Sequence, residues 1–285
     1  MLSRRWMLNL GLLLLIGVST YIGIKYDTQS GNNSINRITA LESSEINSLS
    51  IITKAETLEL RRSGGNWQIE SPIRWPASNT TVERLLAITR AETESRIPAD
   101  EIDLASLGLQ PPRGMLRLND TDILFGDTNN IGSRRYAMID ATVYLLPDLH
   151  LPFMSQGLLG IIDRRLLPDS ADLESLKLPE FELTRSDNGA WRIKNAGQFS
   201  SDQLNHLVGN WQQLRASQVK LYPGTTTPGQ KIIAQLSDGR RHEFLVLSTS
   251  PEIIIAHPRI GLQYHFSKSF YDQLLSPRGD EKPAS

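Results

Sequence analysis

The strongest constraint on the fold of this chain is an internal repeat. Leu58–Glu70 aligns with Phe181–Lys194, and each segment contains an alternating strand, a glycine-bearing turn and a second strand with a tryptophan. The turns, Gly64–Gly65 and Asn188–Gly189, are typical of β-hairpins, because glycine and asparagine adopt positive φ angles at little cost. The sequence therefore predicts a hairpin near the start of each of two related units.

A helix is expected after each hairpin. Thr80–Glu83 and Ser200–Gln203 have the spacing of capping boxes, in which side chains bind the free N–H groups at a helix start. Apolar residues then recur at three- and four-residue steps, at Val82, Leu85, Leu86 and Thr89, and at Leu204, Leu207, Val208, Trp211 and Leu214. Each helix therefore has one face to bury against a sheet.

The correspondence continues along both units. Met115–Phe125 matches Ile232–Leu247 as a strand, a polar turn and a strand, and Val143–Leu145 matches Gln263–Phe266. A closing helix is expected around residues 149–159 and 267–275. The expected fold class is α+β: an N-terminal transmembrane helix followed by two tandem ββαββββ repeats whose helices pack on antiparallel sheets.

The stretch from Trp6 to Ile24 is apolar and carries no charge. As a helix rising about 1.5 Å per residue, it nearly crosses a hydrocarbon core of roughly 30 Å. Arg4 and Arg5 precede it and favour a cytoplasmic N-terminus. We therefore expect a single-pass protein of the bacterial inner membrane with its C-terminal domains in the periplasm. A signal peptide cleaved near Gly17–Ser19 and a twin-arginine export signal are the alternatives.

Composition excludes several classes of function. The chain has 285 residues and no cysteine, so disulfides, thiolate metal sites and catalytic thiols are excluded. It carries 30 Lys plus Arg against 31 Asp plus Glu, and this balance argues against a general nucleic-acid binder. Its 39% hydrophobic content is that of an ordinary globular chain.

The expected organisation follows from the repeat and from shifts in composition. A polar segment rich in Ser, Asn and Gln is typical of a linker, and prolines border the join between the units. The expected parts are a cytoplasmic tip and transmembrane anchor at 1–27, a linker at 28–45, a first α+β repeat at 46–167, an inter-repeat join at 168–179, a second α+β repeat at 180–276 and a disordered tail at 277–285.

Four stretches match a pattern seen elsewhere: Gly65–Pro72, Ala99–Pro112, Tyr136–Tyr144 and Ile162–Leu167. The most specific part is Leu104–Pro111, with its Leu-Gly-Leu core. Together they resemble the bacterial envelope family known as domain of unknown function 4340. The resemblance implies a tandem-repeat, membrane-anchored extracytoplasmic protein, in a family often encoded beside gliding-motility-type ABC transporter components. It implies no catalytic residues, and the second repeat lacks an obvious Leu-Gly-Leu counterpart.

No catalytic residue, cofactor or metal is expected. The five histidines, at 150, 206, 242, 257 and 265, are too scattered to give a ligand pair on one helical face. Gly224–Lys231 resembles a phosphate-binding loop, but its lysine is displaced by one position and a strand follows it. Asp120, Asp122 and Asp127 lack the glycine and distal glutamate of a calcium loop.

Two arginine pairs and one tryptophan are candidate contacts for a partner. An arginine pair can hold an acidic protein, a phosphate or a lipid headgroup by fork-like hydrogen bonds. Local ion pairs involving Asp163 are the alternative for the second pair. The tryptophan has no equivalent in the second repeat and is expected at the surface, where it could contact a partner. The five candidates are Trp75, Arg134, Arg135, Arg164 and Arg165.

These features predict a non-enzymatic, membrane-anchored periplasmic accessory or scaffold protein that binds another envelope protein. An ABC-type transport system as partner is implied by the resemblance alone. The inner membrane, through residues 6–24, is the other expected partner, and no nucleic acid is expected. Two alternatives stay open: an envelope glycan-processing hydrolase, and a module that binds a lipid or small ligand at the junction of the repeats.

Overall fold

The computed structural model describes residues 37–276, except residues 94, 130–131, 170, 195–198 and 225–228. The predicted membrane segment Trp6–Ile24, most of the linker and the tail at 277–285 lie outside the described residues. Among the helices that are described, none is long and apolar enough to cross a membrane.

The first unit is built on an antiparallel sheet of nine strands within the described residues. Its strands are β1 Ser48–Thr53, β2 Thr57–Ser63, β3 Asn66–Ser71, β4 Trp75–Pro76, β5 Arg96–Pro98, β6 Gly114–Leu118, β7 Thr121–Thr128, β8 Arg134–Ile139 and β9 Thr142–Pro147. Their order across the sheet is β4-β3-β2-β1-β6-β7-β8-β9-β5.

The second unit is built on an antiparallel sheet of eight described strands. Its strands are β10 Leu173–Lys177, β11 Glu182–Arg185, β12 Trp191–Lys194, β13 Gln218–Leu221, β14 Gln230–Leu236, β15 Arg241–Ser248, β16 Glu252–His257 and β17 Leu262–Ser267. Their order is β12-β11-β10-β14-β15-β16-β17-β13. Apart from β4, the two sheets have the same strand order, so each strand of the second unit has a counterpart in the first.

The helices are short. The α-helices are α1 Asn79–Leu86, α2 His150–Met154, α3 Gly157–Ile161, α4 Ser201–Gln213 and α5 Tyr271–Leu274. Five single turns of 3-10 helix lie at Ser43–Glu45, Ala87–Arg90, Ala99–Glu101, Pro258–Ile260 and Lys268–Phe270. In the described part of the chain, helices therefore occupy far less of the structure than strands do.

The α+β fold class is wrong, because the molecule consists mainly of two large antiparallel sheets. The ββαββββ pattern is also wrong, since it omits β1 and β10 before each hairpin and β5 and β13 after each helix. Strands β5 and β13 are short and poorly patterned: β13 has one buried residue, Val219. Strand β1 does alternate, with Leu49 and Ile51 buried. Strand β10 lies inside the segment 168–179, which was expected to be a join.

The apolar faces of α1 and α4 cover one side of each sheet, as the three- and four-residue spacing predicts. Val82, Leu85 and Leu86 of α1 are buried, and the members of the α4 stripe from Leu204 to Trp211 are buried too. Both sets belong to a single continuous core that spans the two units. The sheets and their helices are therefore packed together as one body.

The N-terminus of α4 agrees with the sequence prediction, whereas that of α1 does not. Ser200 and Gln203 form the expected capping box of α4, with both reciprocal hydrogen bonds present. The box expected at Thr80–Glu83 is wrong, because α1 begins earlier. Its N-cap is Ser78, whose side chain accepts a hydrogen bond from the backbone N–H of Thr81.

Candidate functional site

The junction of the two units is organised by the segment Ile161–Arg165. On one side, the backbone N–H of Ser78 donates to the carbonyl of Ile161 at 2.7 Å. On the other side, the backbone N–H of Ala216 donates to the carbonyl of Arg164 at 2.9 Å. The segment therefore binds the start of α1 in the first unit and the strand region after α4 in the second.

The carboxylate of Asp163 is buried within this segment, with 3% of the residue exposed. It accepts hydrogen bonds from the backbone N–H of Arg165 at 3.1 Å and from the Nε of the same residue at 2.9 Å. Arg165 also pairs with Asp169. Burial opposes the charge on Arg165, but the bonds to Asp163 and Asp169 outweigh it and raise the pKa of the guanidinium. Arg165, a candidate partner contact, is thus engaged inside the protein.

Trp75 lies at the same junction and not at the surface. It is only 4% exposed, and its ring meets the rings of His242 and His257 edge-on, with centroids 5.6 and 5.4 Å away. The residue belongs to β4, the strand that has no described counterpart in the second unit. It fills the second unit's core face, which explains why a tryptophan without a repeat equivalent is buried.

A neutral polar cluster surrounds Trp75. The Nδ1 of His242 lies 3.0 Å from the Nε2 of His257, so the N–H of one ring donates a hydrogen bond to the nitrogen of the other. Burial lowers the pKa of His257 to about 3, and burial together with Arg240 and Arg259 lowers that of His242. Both rings are therefore uncharged near neutral pH.

Two further groups of this region bear on its chemistry. The hydroxyl of Tyr264 is buried and forms no hydrogen bond of good geometry with the described residues. Burial and the nearby charge of Asp163 raise its pKa, and the neighbouring Trp75 side chain opposes this shift. His265, on the same strand, has its Nδ1 2.9 Å from a carboxylate oxygen of Glu252 and its Nε2 2.9 Å from the amide nitrogen of Gln263. Both ring nitrogens of His265 are thus hydrogen-bonded within the protein. Within the described ranges, no three histidine or carboxylate side chains are grouped as metal ligands would be.

A second feature is an open groove at one end of the first sheet. It forms where β7 ends, β8 begins and β9 ends, and its volume is about 770 Å³. The described lining consists of Thr128, Asn129, Gly132, Ser133, Arg134, Pro147, Asp148 and Leu149. We call this feature the β8–β9 groove.

The wall of the β8–β9 groove is fixed by a fork-like ion pair. The Nε of Arg135 lies 2.7 Å from Oδ1 of Asp148, and the second contact of the pair is 2.8 Å long. Arg135 also donates to the backbone carbonyl of Gly126. Because Arg135 is mostly buried and Asp148 is fully paired, this arginine positions the groove and does not project into solvent.

Arg134 and Leu149 are the exposed side chains of the groove. Leu149 is 61% exposed. Arg134, which opens β8, is also exposed, and its side chain makes no ion pair or hydrogen bond with the described residues. Arg134 lies opposite Pro147 in the antiparallel register, so the charge and the apolar surface are adjacent. Arg164 is also exposed, but it donates to the carbonyl of Ser217 at 3.1 Å. Arg134 is a candidate contact predicted from the sequence, whereas Leu149 was expected only as the start of a closing helix.

The Leu-Gly-Leu motif has a packing role. Leu107 and Leu109 cover the face of the first sheet that lies opposite α1, together with Val143. A Cβ at Gly126 would lie 2.3 Å from the carbonyl oxygen of Leu107. Gly108 has a φ of +65° and approaches the carboxylate of Asp127. Close backbone contact therefore requires glycine at these positions.

Comparison with known proteins agrees with the resemblance read from the sequence. The family model described as domain of unknown function (DUF4340) matches residues 67–241. This range includes parts of both sheets, the Leu-Gly-Leu motif and the junction segment. The curated proteins and the solved structures gave no match.

Proposed function

We propose, on the premise that this chain belongs to the DUF4340 family, that it is a membrane-anchored envelope protein without enzymatic activity that binds another protein. The observation that carries the binding role is the β8–β9 groove, which is lined by exposed Leu149 and by Arg134, an arginine with no side-chain partner among the described residues. The anchor is the apolar segment Trp6–Ile24, for which the sequence is the support.

The composition of the groove supports binding to a protein. Single exposed leucines are common on protein surfaces and need no explanation. Leu149, however, borders a concave surface and stands next to an arginine with no described partner. Arginine is enriched at the energetic centres of protein interfaces, where an apolar neighbour helps to exclude water.

The rest of the fold supports binding at the groove over binding at the junction. Trp75 and the paired Asp163 fill the junction, so a ligand there would have to displace well-packed groups. The ion pair between Arg135 and Asp148 holds the groove in place before a partner arrives. Such preorganisation lowers the entropic cost of association.

Affinity capture from cells tests the binding role. We expect the tagged full-length protein, extracted in mild detergent, to recover envelope proteins such as components of an ABC-type transport system. Arg134→Glu combined with Leu149→Ser should reduce this recovery at least tenfold. The matched control is Arg192→Glu with Leu221→Ser, since both residues are exposed in the second unit. Recovery that is equal for the two double variants would contradict the role of the groove.

Membrane location is tested separately. We expect the full-length protein to stay with membranes during alkaline carbonate extraction, because a spanning helix is not released by removing charge contacts. Protease added to spheroplasts should digest the part from residue 37 onward. Release by carbonate, or protection from the protease in intact spheroplasts, would contradict the proposed topology.

A further inference from the structure

We infer that the β8–β9 groove recognises an acidic, extended segment of a partner protein, with a carboxylate held by Arg134 and an apolar side chain packed on Leu149. The inference rests on the proposed protein-binding function and assigns it a ligand chemistry.

The charge of the described groove is positive. Its one carboxylate, that of Asp148, is neutralised by the fork of Arg135 at 2.7 and 2.8 Å. Arg134 adds a positive charge that no described side chain compensates. A guanidinium presents parallel N–H groups that match the two oxygens of a carboxylate. A basic segment would be repelled there, whereas an acidic one supplies the missing partner.

The apolar part of the groove lies directly beside that charge. Leu149 is 61% exposed, and Pro147 occupies the strand position opposite Arg134. A ligand that covered Leu149 would remove apolar surface from water, which favours binding. A ligand with an acidic residue and an apolar residue near it would match both features of the lining.

The shape favours a chain segment over a small enclosed molecule. The groove has a volume of about 770 Å³ but is open along one side. Thr128 and Ser133 are among its lining residues, and a hydroxyl group can donate to or accept from the backbone of an extended segment. A membrane surface is a poorer fit, because anionic lipids are held by clusters of basic residues and not by one arginine in a concave site.

The probe for this inference is a phage-displayed library of random dodecapeptides, selected on the full-length protein in nanodiscs. We expect recovered peptides to be enriched at least threefold in Asp and Glu next to Leu, Ile or Phe. Their binding should fall at least tenfold with Arg134→Gln and with Leu149→Ser. It should change less than twofold with the controls Arg192→Gln and Leu221→Ser. Arg134→Lys keeps the positive charge but loses the paired N–H donors of the guanidinium, so it should give intermediate binding.

Two results would overturn the inference. One is a recovered pool without acidic enrichment, or binding that Arg134→Gln and Arg192→Gln reduce equally. The other is displacement of the peptides by phosphatidylglycerol vesicles but not by phosphatidylcholine vesicles, which would make the groove a lipid site. If acidic peptides fail to bind while the parent protein captures an envelope protein from cells and Arg134→Glu with Leu149→Ser reduces that capture, this inference fails and the proposed function stands. If the parent protein captures no envelope protein from cells, the proposed function itself is rejected.

Discussion

Several buried polar atoms near Trp75 lack a hydrogen bond to the described residues. The buried atoms without a described hydrogen bond include Nε2 of His242, Nδ1 of His257 and the hydroxyl of Tyr264. Burying such groups costs free energy unless ordered water satisfies them. The aromatic contacts of Trp75 with the two histidine rings help to offset this cost at the junction.

Trp75, which is buried at the junction, should contribute more to stability than the partly buried Trp191. We expect Trp75→Ala to lower the free energy of unfolding by about 3–5 kcal/mol, because it leaves a cavity between the two units. Trp191→Ala is the matched control, since Trp191 is only partly buried. Urea denaturation of both variants measures the difference. An equal or larger loss for Trp191→Ala would contradict the placement of Trp75.

The His242–His257 pair should make stability depend on pH. His257 has a pKa of about 3 in the folded protein against an ordinary value of 6.5, so its contribution is fully present above about pH 6.5 and is lost as the pH falls towards 3. The positive charges of Arg240 and Arg259 act in the same direction on His242. The loss should reach up to about 1.4 kcal/mol per pH unit.

Urea denaturation between pH 7.5 and pH 4 measures this dependence. His257→Gln removes the titrating group, so the stability of that variant should fall less steeply over the same range. His206→Gln is the control, because His206 is exposed on α4. Parallel pH profiles for His257→Gln and the parent protein would show that His257 does not carry the dependence.

At the scale of elements, strands and helices were predictable where the sequence alternates or recurs clearly. The two hairpins and the apolar stripes of α1 and α4 were found because their spacing is regular. Strand β5 was missed, since a three-residue strand ending in Pro98 has no detectable period. The start of α1 was misplaced because Ser78 and Thr80 are both acceptable N-caps, and only the backbone decides between them.

The Leu-Gly-Leu loop gives a prediction about its neighbouring strand. We expect Gly126→Ala to cost about 1–3 kcal/mol, because its Cβ would lie 2.3 Å from the backbone carbonyl of Leu107, which cannot move without disturbing the loop. Gly209→Ala is the control, since a Cβ there meets nothing within 4 Å inside helix α4. It should stabilise the protein by about 0.5–1 kcal/mol. Thermal and urea denaturation distinguish the two, and a neutral Gly126→Ala would contradict the close approach.

At the scale of the whole molecule, the two sheets have the same strand order apart from β4. This strand of the first sheet carries Trp75 into the junction with the second unit. The internal repeat in the sequence indicated two related units but not how they meet. Their junction depends on β4 and on Asp163, and neither has a periodic signal. The repeat comparison therefore suggested that Trp75 was exposed, when it is in fact the residue that the second unit buries.

Only the structure shows which of the candidate contact residues are exposed and which are held in ion pairs. Arg165 and Arg135 are held in ion pairs with Asp163 and Asp148, which lie two and thirteen positions away. Arg134, the neighbour of Arg135, points to the opposite side of its strand and stays exposed, because successive strand residues alternate in direction. Of the two adjacent arginines, Arg135 is therefore held in an ion pair and Arg134 is exposed to solvent. The strand register is needed to distinguish them.

Site-specific photocrosslinking in living cells tests the central claim, that the β8–β9 groove contacts another protein, most directly. Benzoylphenylalanine would replace Leu149 in the full-length protein, and Leu221, which is 63% exposed in the second unit, would be the control position. We predict an adduct with an envelope protein from position 149, and we predict that Arg134→Gln reduces its yield at least tenfold. No adduct from position 149, or the same adduct in equal yield from position 221, would contradict the claim.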